Sequence, residues 1–448
     1  MEEQKPDTSP PAGPSAPPAK RGRGMWIGIA VVIVVLVIVL ALFAAGVFNP
    51  PATTPKTPLR IGAVLSQSGG LAAYGPDILK AIQMAVSEIN AQGGVNGTDV
   101  QLFSGDDATT PATGAQVATT LIQQNHVSAI IGSLASGVSA SVISVCVQNH
   151  VVEVSPASTS PLFSNLTLTQ GWFFRTVPSD ALQGVVAAHY LRTNRSYQKV
   201  AIIGIDNPYG NGLASVFQTA FTKLGGTVTI KEIVPQALTS YSTYLTTVFA
   251  AGVPDAVYFI AYPDTGLQLM KDWYAGRANW PTNWTFSEGL QAQSFIDSLV
   301  TAGIPVQAIN GSAPVSPSGA LYDAFATRFN ALYGHQPGLF ASEGYDATYM
   351  IALAALKANA VDGPSIKAQM IPISGTSTGV GTKIYPGPGN FTAARSVTGA
   401  FNYEGASGSL NWNQYGDPTS SYEIWGMNTS NKITQIAFFP EAQVIAWL

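Results

Sequence analysis

From residue 59 onward, short runs of β-branched and aliphatic residues alternate with longer stretches in which apolar positions recur at helical spacing. That alternation predicts parallel sheets joined by crossover helices. Strands are expected at Leu59–Ser66, Val100–Phe103, Val127–Gly132 and Val151–Val154, with helices near 74–92, 111–125 and 137–149. After Phe173-Phe174-Arg175-Thr176-Val177 a second set begins. Its strands are expected at Val200–Ile205, Val228–Ile233 and Ala256–Ile260, and its helices near 180–193, 211–224, 241–251 and 265–277. Two further helices, about 318–333 and 341–359, precede a stretch rich in Gly, Ser, Thr and Pro from about 372 to 396. The pattern predicts an α/β chain of two lobes, each a parallel sheet flanked by helices. Lobe one is expected over 59–177 plus about 313–362, and lobe two over 178–312 plus about 395–448. Repeated passage between lobes makes a hinge, and the crevice beyond the carboxyl ends of the strands is where such sheets hold ligands.

The first 58 residues follow other rules. Residues 1–24 are rich in Pro, Ala and Ser and end in Lys20-Arg21-Gly22-Arg23-Gly24, a composition that cannot bury enough surface to fold. No charge occurs from Met25 to Phe48, a length sufficient to cross about 30 Å of hydrocarbon. Cations immediately before this span place residues 1–24 in the cytoplasm and the remainder outside. A cleaved signal peptide is the rival reading, with Ala41 to Gly46 offering small residues to a peptidase. No Cys follows the span to take a lipid. Residues 49–58, rich in Pro and Thr, then read as a stiff spacer.

Composition narrows the function. The chain of 448 residues carries 10% charged residues and a net charge of −4, against about 25% charged in ordinary soluble proteins. No basic block outside the N-terminus could track a phosphate backbone, so nucleic acid is excluded as a partner. Cys146 is alone and His126, His150, His189 and His335 are scattered, so neither a disulfide, a metal site nor a cofactor is expected. Sequons at Asn96, Asn165, Asn194, Asn283, Asn310, Asn390 and Asn428 permit glycosylation without showing it. A surface built on hydroxyls and amides suggests tolerance of acid, testable as a flat melting temperature from about pH 7 to 3.

A set of landmarks then carries a resemblance. They are Ile61-Gly62-Ala63, Ser68-Gly69, Tyr74-Gly75, Ile89 through Gly97, Asp106-Asp107, Ile131-Gly132-Ser133, Ser155 through Pro161, Phe174-Arg175-Thr176 and Tyr209-Gly210. In this order the chain resembles the type I periplasmic solute-binding proteins of the leucine/isoleucine/valine-binding group, which serve ABC transporters. The likeness runs from about Pro58 to beyond Tyr345.

A zwitterion taken from water needs donors for its carboxylate and acceptors, one of them anionic, for its ammonium. Ser136, between a predicted strand and helix, could give its hydroxyl and N–H to a carboxylate, or could simply cap the helix. The resemblance implies a carbonyl from Ala157, an N–H and hydroxyl from Thr159, and an ammonium partner in Glu288. It also implies walls from Tyr74, Tyr209, Tyr262 and Phe340, with Leu134 and Ala135 beside Ser136. Ala135 stands where the group usually has a cysteine, which changes the side-chain pocket but not the clamp. The segment after about 360 departs most, and Asn411 through Asp417 is a weakened form of a late acidic-Gly turn. The expected function is capture of a free, aliphatic α-amino acid for an ABC permease. A sensory ectodomain, or a binder of a neutral amide or urea, is the alternative. No nucleophile elbow or phosphate loop suggests an enzyme.

Overall fold

The computed structural model describes residues 23–44 and 56–448; the expected tail before Arg23, the end of the anchor and the spacer as far as Pro55 lie outside it. The chain divides into two compact units, before and after Lys56. The first contains one helix, Arg23–Ala44, of which Trp26–Ala44 is long and apolar enough to cross a membrane. Residues 26–41 are all exposed and show no polar face, so the helix is suited to hydrocarbon rather than to one side of a protein core.

The second unit holds two large sheets. In the first, β1 (Arg60–Leu65), β2 (Gln101–Asp106), β3 (Ala129–Gly132), β4 (Val152–Ser155) and β5 (Phe173–Arg175) run in the order β2-β1-β3-β4-β5, every pair parallel. The central strands β1, β3 and β4 are buried almost throughout, as parallel strands covered by helices on both faces must be. The second sheet contains β6 (Lys199–Ile205), β7 (Thr227–Val234), β8 (Ala256–Ile260), β9 (Asn283–Phe286) and β10 (Asn310–Pro314). Beyond a small pair, β11 (Thr382–Ile384) with β12 (Phe401–Tyr403), the chain adds β13 (Tyr422–Met427) and β14 (Ile433–Phe439). The order is β14-β13-β10-β9-β8-β6-β7, with β13 antiparallel to β10 and β14 antiparallel to β13.

In each sheet the chain goes first to one side of its opening strand and then to the other. β1 has β2 and β3 as neighbours, and β6 has β7 and β8. The connections therefore diverge at β1/β3 and at β6/β8, leaving a crevice at the carboxyl ends of those strands. Local sequence fixes the helices that flank it. Pro111, Pro208 and Pro263 begin helices Pro111–Asn125, Pro208–Lys223 and Pro263–Gly276, where their missing N–H costs nothing. His126 and His150 end helices in the left-handed conformation.

The chain passes between the sheets near 176–179, 315–319 and 418–421. The last passage comes later than expected. Residues 395–417, expected in lobe two, pack on the first sheet's side: Asp346 of helix Ala341–Ala358 accepts from Tyr403, Ala406 and Ser407, and Trp412 lies against Phe174 and donates to the Arg175 carbonyl. A buried carboxylate that needs several donors recruits this loop, a demand invisible in a Gly- and Ser-rich stretch.

Candidate functional site

The crevice holds a hollow of about 340 Å³, part of it open to solvent. All walls but one are formed by a residue or turn that follows a strand. β1 leads to Leu71 and Tyr74, β3 to Leu134 and Ser136, β4 to Ala157 and Thr159, β6 to Tyr209, β8 to Tyr262, and β9 to Glu288 and Gly289; Phe340 precedes helix Ala341–Ala358. Nine of the ten residues singled out from sequence thus face one space. The tenth, Ala135, is buried behind it as the residue before helix Ser136–Asn149. Ser136 is the first helical residue rather than the cap, and its Oγ accepts from the Ser160 N–H at 3.3 Å.

The loop carrying Ala157 and Thr159 is fixed from beneath. Arg175, fully buried, donates to the carbonyls of Ser158 and Ser160 at 3.1 and 3.0 Å, to Ser164 Oγ at 3.1 Å, and to Asp417 Oδ1 at 2.7 Å. Its fork of donors suits this set of acceptors as a lysine would not. The Asn411–Asp417 turn therefore ends in a structural ion pair. Ser133, Ser155 and Ser158 form a second buried network under the loop, with Ser155 Oγ and Ser158 Oγ donating to the Ser133 carbonyl at 2.6 and 3.0 Å.

The opposite wall is aromatic and acidic. Tyr209 and Tyr262 stack with centroids 5.5 Å apart and planes 5° from parallel. Tyr209 donates to Ser287 Oγ at 2.7 Å and accepts from the Gly289 N–H at 3.3 Å. Tyr74 reaches across from the other sheet to donate to the Gly289 carbonyl at 3.1 Å. Glu288 is 3% exposed and accepts from Gln183 Nε2, which also donates to the Ser312 carbonyl at 3.1 Å. Burial pushes the Glu288 carboxyl up to about 7, against the pull of hydrogen bonds from Gln183 and Tyr209.

Sequence reasoning missed Asp180. It opens helix Asp180–His189, is fully buried, and accepts from Thr159 Oγ1 at 2.9 Å, while its Oδ1 has no partner. Burial and then the charge of Glu288 push its carboxyl well up; the Thr159 hydrogen bond and Arg175 oppose them. Two carboxyls thus influence one another, one of them lining the cavity, and the cation that acts on Asp180, Arg175, is committed to Asp417. The available signal was the acid at the head of an apolar helix, Asp180-Ala181-Leu182-Gln183, with Gln183 one turn on. Leu71 and Gly289 were also missed; each lies beside a residue that was found.

Comparison with known proteins gives the family. The model of the periplasmic binding protein family matches residues 58–397. A Leu/Ile/Val-binding protein homolog of Brucella abortus is 33% identical over 209 residues, 47% of this chain, and the chain spans 56% of that relative's length. Another from the same organism is 28% identical over 318 residues, 69% of this chain and 81% of the relative. The solved branched-chain amino acid transporter substrate binding protein of Streptococcus pneumoniae, in complex with isoleucine, shares the fold with a TM-score of 0.69 at 23% identity, covering 86% of this chain and 99% of its own.

Proposed function

Since the chain belongs to the periplasmic binding protein family, we propose that it holds a free α-amino acid with an aliphatic side chain between its lobes and delivers it to an ABC-type importer. One observation carries this reading: the buried carboxyl of Glu288 lines the cavity and has no ion-pair partner among the described residues, and the buried carboxyl of Asp180 lies within its electrostatic reach. An uncompensated buried charge costs several kcal/mol, and a ligand ammonium supplies the missing partner. On the other wall, the Ser136 hydroxyl and the first turn of helix Ser136–Asn149 offer donors to a carboxylate, while the Thr159 hydroxyl is given to Asp180. Leu71, Leu134, Phe340 and the tyrosine rings receive the side chain, whose burial contributes about 2 kcal/mol.

The ligand docks first on the β1–β5 lobe, and contacts from Tyr209, Tyr262 and Glu288 then shift the population toward the closed form that the permease recognises. No chemical step is part of this function. Helix Trp26–Ala44 tethers the binding unit outside the cell with its N-terminus in the cytoplasm, raising its effective concentration at the permease. Calorimetric titration with the twenty amino acids, urea and short amides tests the reading. Tight binding of an aliphatic group supports it; binding of neutral amides alone sinks it.

A further inference from the structure

A second hollow adjoins the first. A groove of about 980 Å³ shares Tyr74 and Phe340 with the inner cavity and extends past Gln291, Ser294, Ser316 and Tyr322. The partition is two rings, Tyr74 and Phe340, with centroids 6.3 Å apart and tilted by 55°. Phe340 holds its place at a cost. Its backbone lies in the left-handed region, φ 65° and ψ 6°, which a bulky residue seldom adopts. The loop before it is pinned to the first lobe, where the Gly338 N–H donates to Asp77 Oδ2 at 3.1 Å and Tyr333 donates to the Lys80 carbonyl at 2.9 Å. The surrounding structure therefore sets this ring between the two spaces.

On the far side, no Lys, Arg, His, Asp or Glu among the described residues lines the groove. Gln291, 8% exposed, donates from Nε2 to Glu423 Oε1 at 2.9 Å, and its Oε1 meets no donor. Its backbone N–H donates to the Glu288 carbonyl at 2.8 Å, so the unmet acceptor stands one turn from the clamp residue. An uncharged compartment with an unsatisfied buried acceptor in its wall favours a neutral hydrogen-bond donor over an ion.

We propose that this groove is an outer compartment of the same site, which admits past Phe340 the end of a long, uncharged side chain carrying an amide or ureido N–H. The inference rests on the amino-acid reading above and names a wider ligand class for it. Its test uses the full-length protein in detergent, titrated with leucine, citrulline, Nε-acetyl-lysine and lysine. Citrulline and Nε-acetyl-lysine are expected to bind within about tenfold of leucine, with lysine at least tenfold weaker than either. Gln291→Leu is expected to weaken citrulline at least tenfold with leucine unchanged, and Phe340→Ala to raise the affinity of Nε-acetyl-lysine relative to leucine. Leucine binding without either long neutral amino acid, even in Phe340→Ala, overturns the outer compartment alone, as does a citrulline affinity indifferent to Gln291→Leu. Binding of no amino acid at all overturns the amino-acid reading with it.

Discussion

In the lobe built on β1–β5 the opening strand runs into Tyr74-Gly75, and in the lobe built on β6–β10 it runs into Tyr209-Gly210. A Cβ on Gly75 would lie 1.9 Å from the Ser66 carbonyl oxygen, and one on Gly210 would lie 2.0 Å from that of Ile205. Only glycine lets each helix start so close to its strand and turn the preceding tyrosine into the crevice. With the backbone device shared, the chemistry separates. The first lobe offers the Ser136 hydroxyl at a helix start and Thr159 on a loop locked by Arg175; the second offers Glu288 and stacked rings, with Asp180 at its first helix. A zwitterion has two unlike ends, and two lobes with unlike linings address one each. Asp180 touches both, since its carboxylate belongs to the second lobe's first helix and its partner Thr159 to the first lobe's loop.

Breaking the first lobe's lock should have the largest effect. Arg175→Met leaves Asp417 buried without its cation and frees the Ser158 and Ser160 carbonyls, so chemical denaturation should show a loss of about 4 kcal/mol. The second lobe should fail differently: Glu288→Gln keeps the shape, removes the charge opposite the ammonium, and should weaken amino-acid binding by about 3 kcal/mol, roughly 100-fold, at near-wild-type stability.

Acid distinguishes the empty cavity from the filled one. The Glu288 carboxyl is raised from 4.5 to about 7, so the folded protein holds a proton that the unfolded chain releases over that interval. Its stabilising contribution is complete below pH 4.5 and gone once pH has risen through 7. Glu343, also raised to about 7, and Asp346, raised to about 6, act in the same sense. The melting temperature of ligand-free protein should therefore hold or rise as pH falls from about 8 to 5. Ligand affinity should run the other way, about tenfold weaker at pH 6 than at pH 8, because the ammonium needs the ionised carboxylate. The smallest effect belongs to the contact across the lobes: Tyr74→Phe removes the hydrogen bond to the Gly289 carbonyl and should cost about 1 kcal/mol, read as roughly fivefold weaker binding.

The strands and helices around the cavity were legible because buried parallel strands read as apolar runs and several of their helices, such as Pro111–Asn125, Ser136–Asn149, Pro208–Lys223 and Pro263–Gly276, start at Pro or Ser. Residues Ala261 to Ser312 were read less fully: β9, β10 and helix Gln293–Thr301 were not anticipated, since Asn283–Phe286 and Asn310–Pro314 are too short and mixed to signal strands alone. The clamp was legible through resemblance to a family, and Thr159 and Glu288 would have passed for loop residues otherwise. Asp180 escaped because its role depends on tertiary proximity to Glu288 and Thr159, 108 and 21 positions away in sequence. The partition at Phe340 escaped for a related reason, as nothing in Pro337-Gly338-Leu339-Phe340 announces a left-handed aromatic.

The central claim is that the carboxyls of Glu288 and Asp180 are there for an ammonium. Titration of leucine alongside 4-methylpentanoate, which lacks only the amino group, tests it most directly at pH 8. Leucine should bind at least 100-fold more tightly, a difference of about 3 kcal/mol. Equal affinity for the two would contradict the account and leave the acidic wall without a ligand.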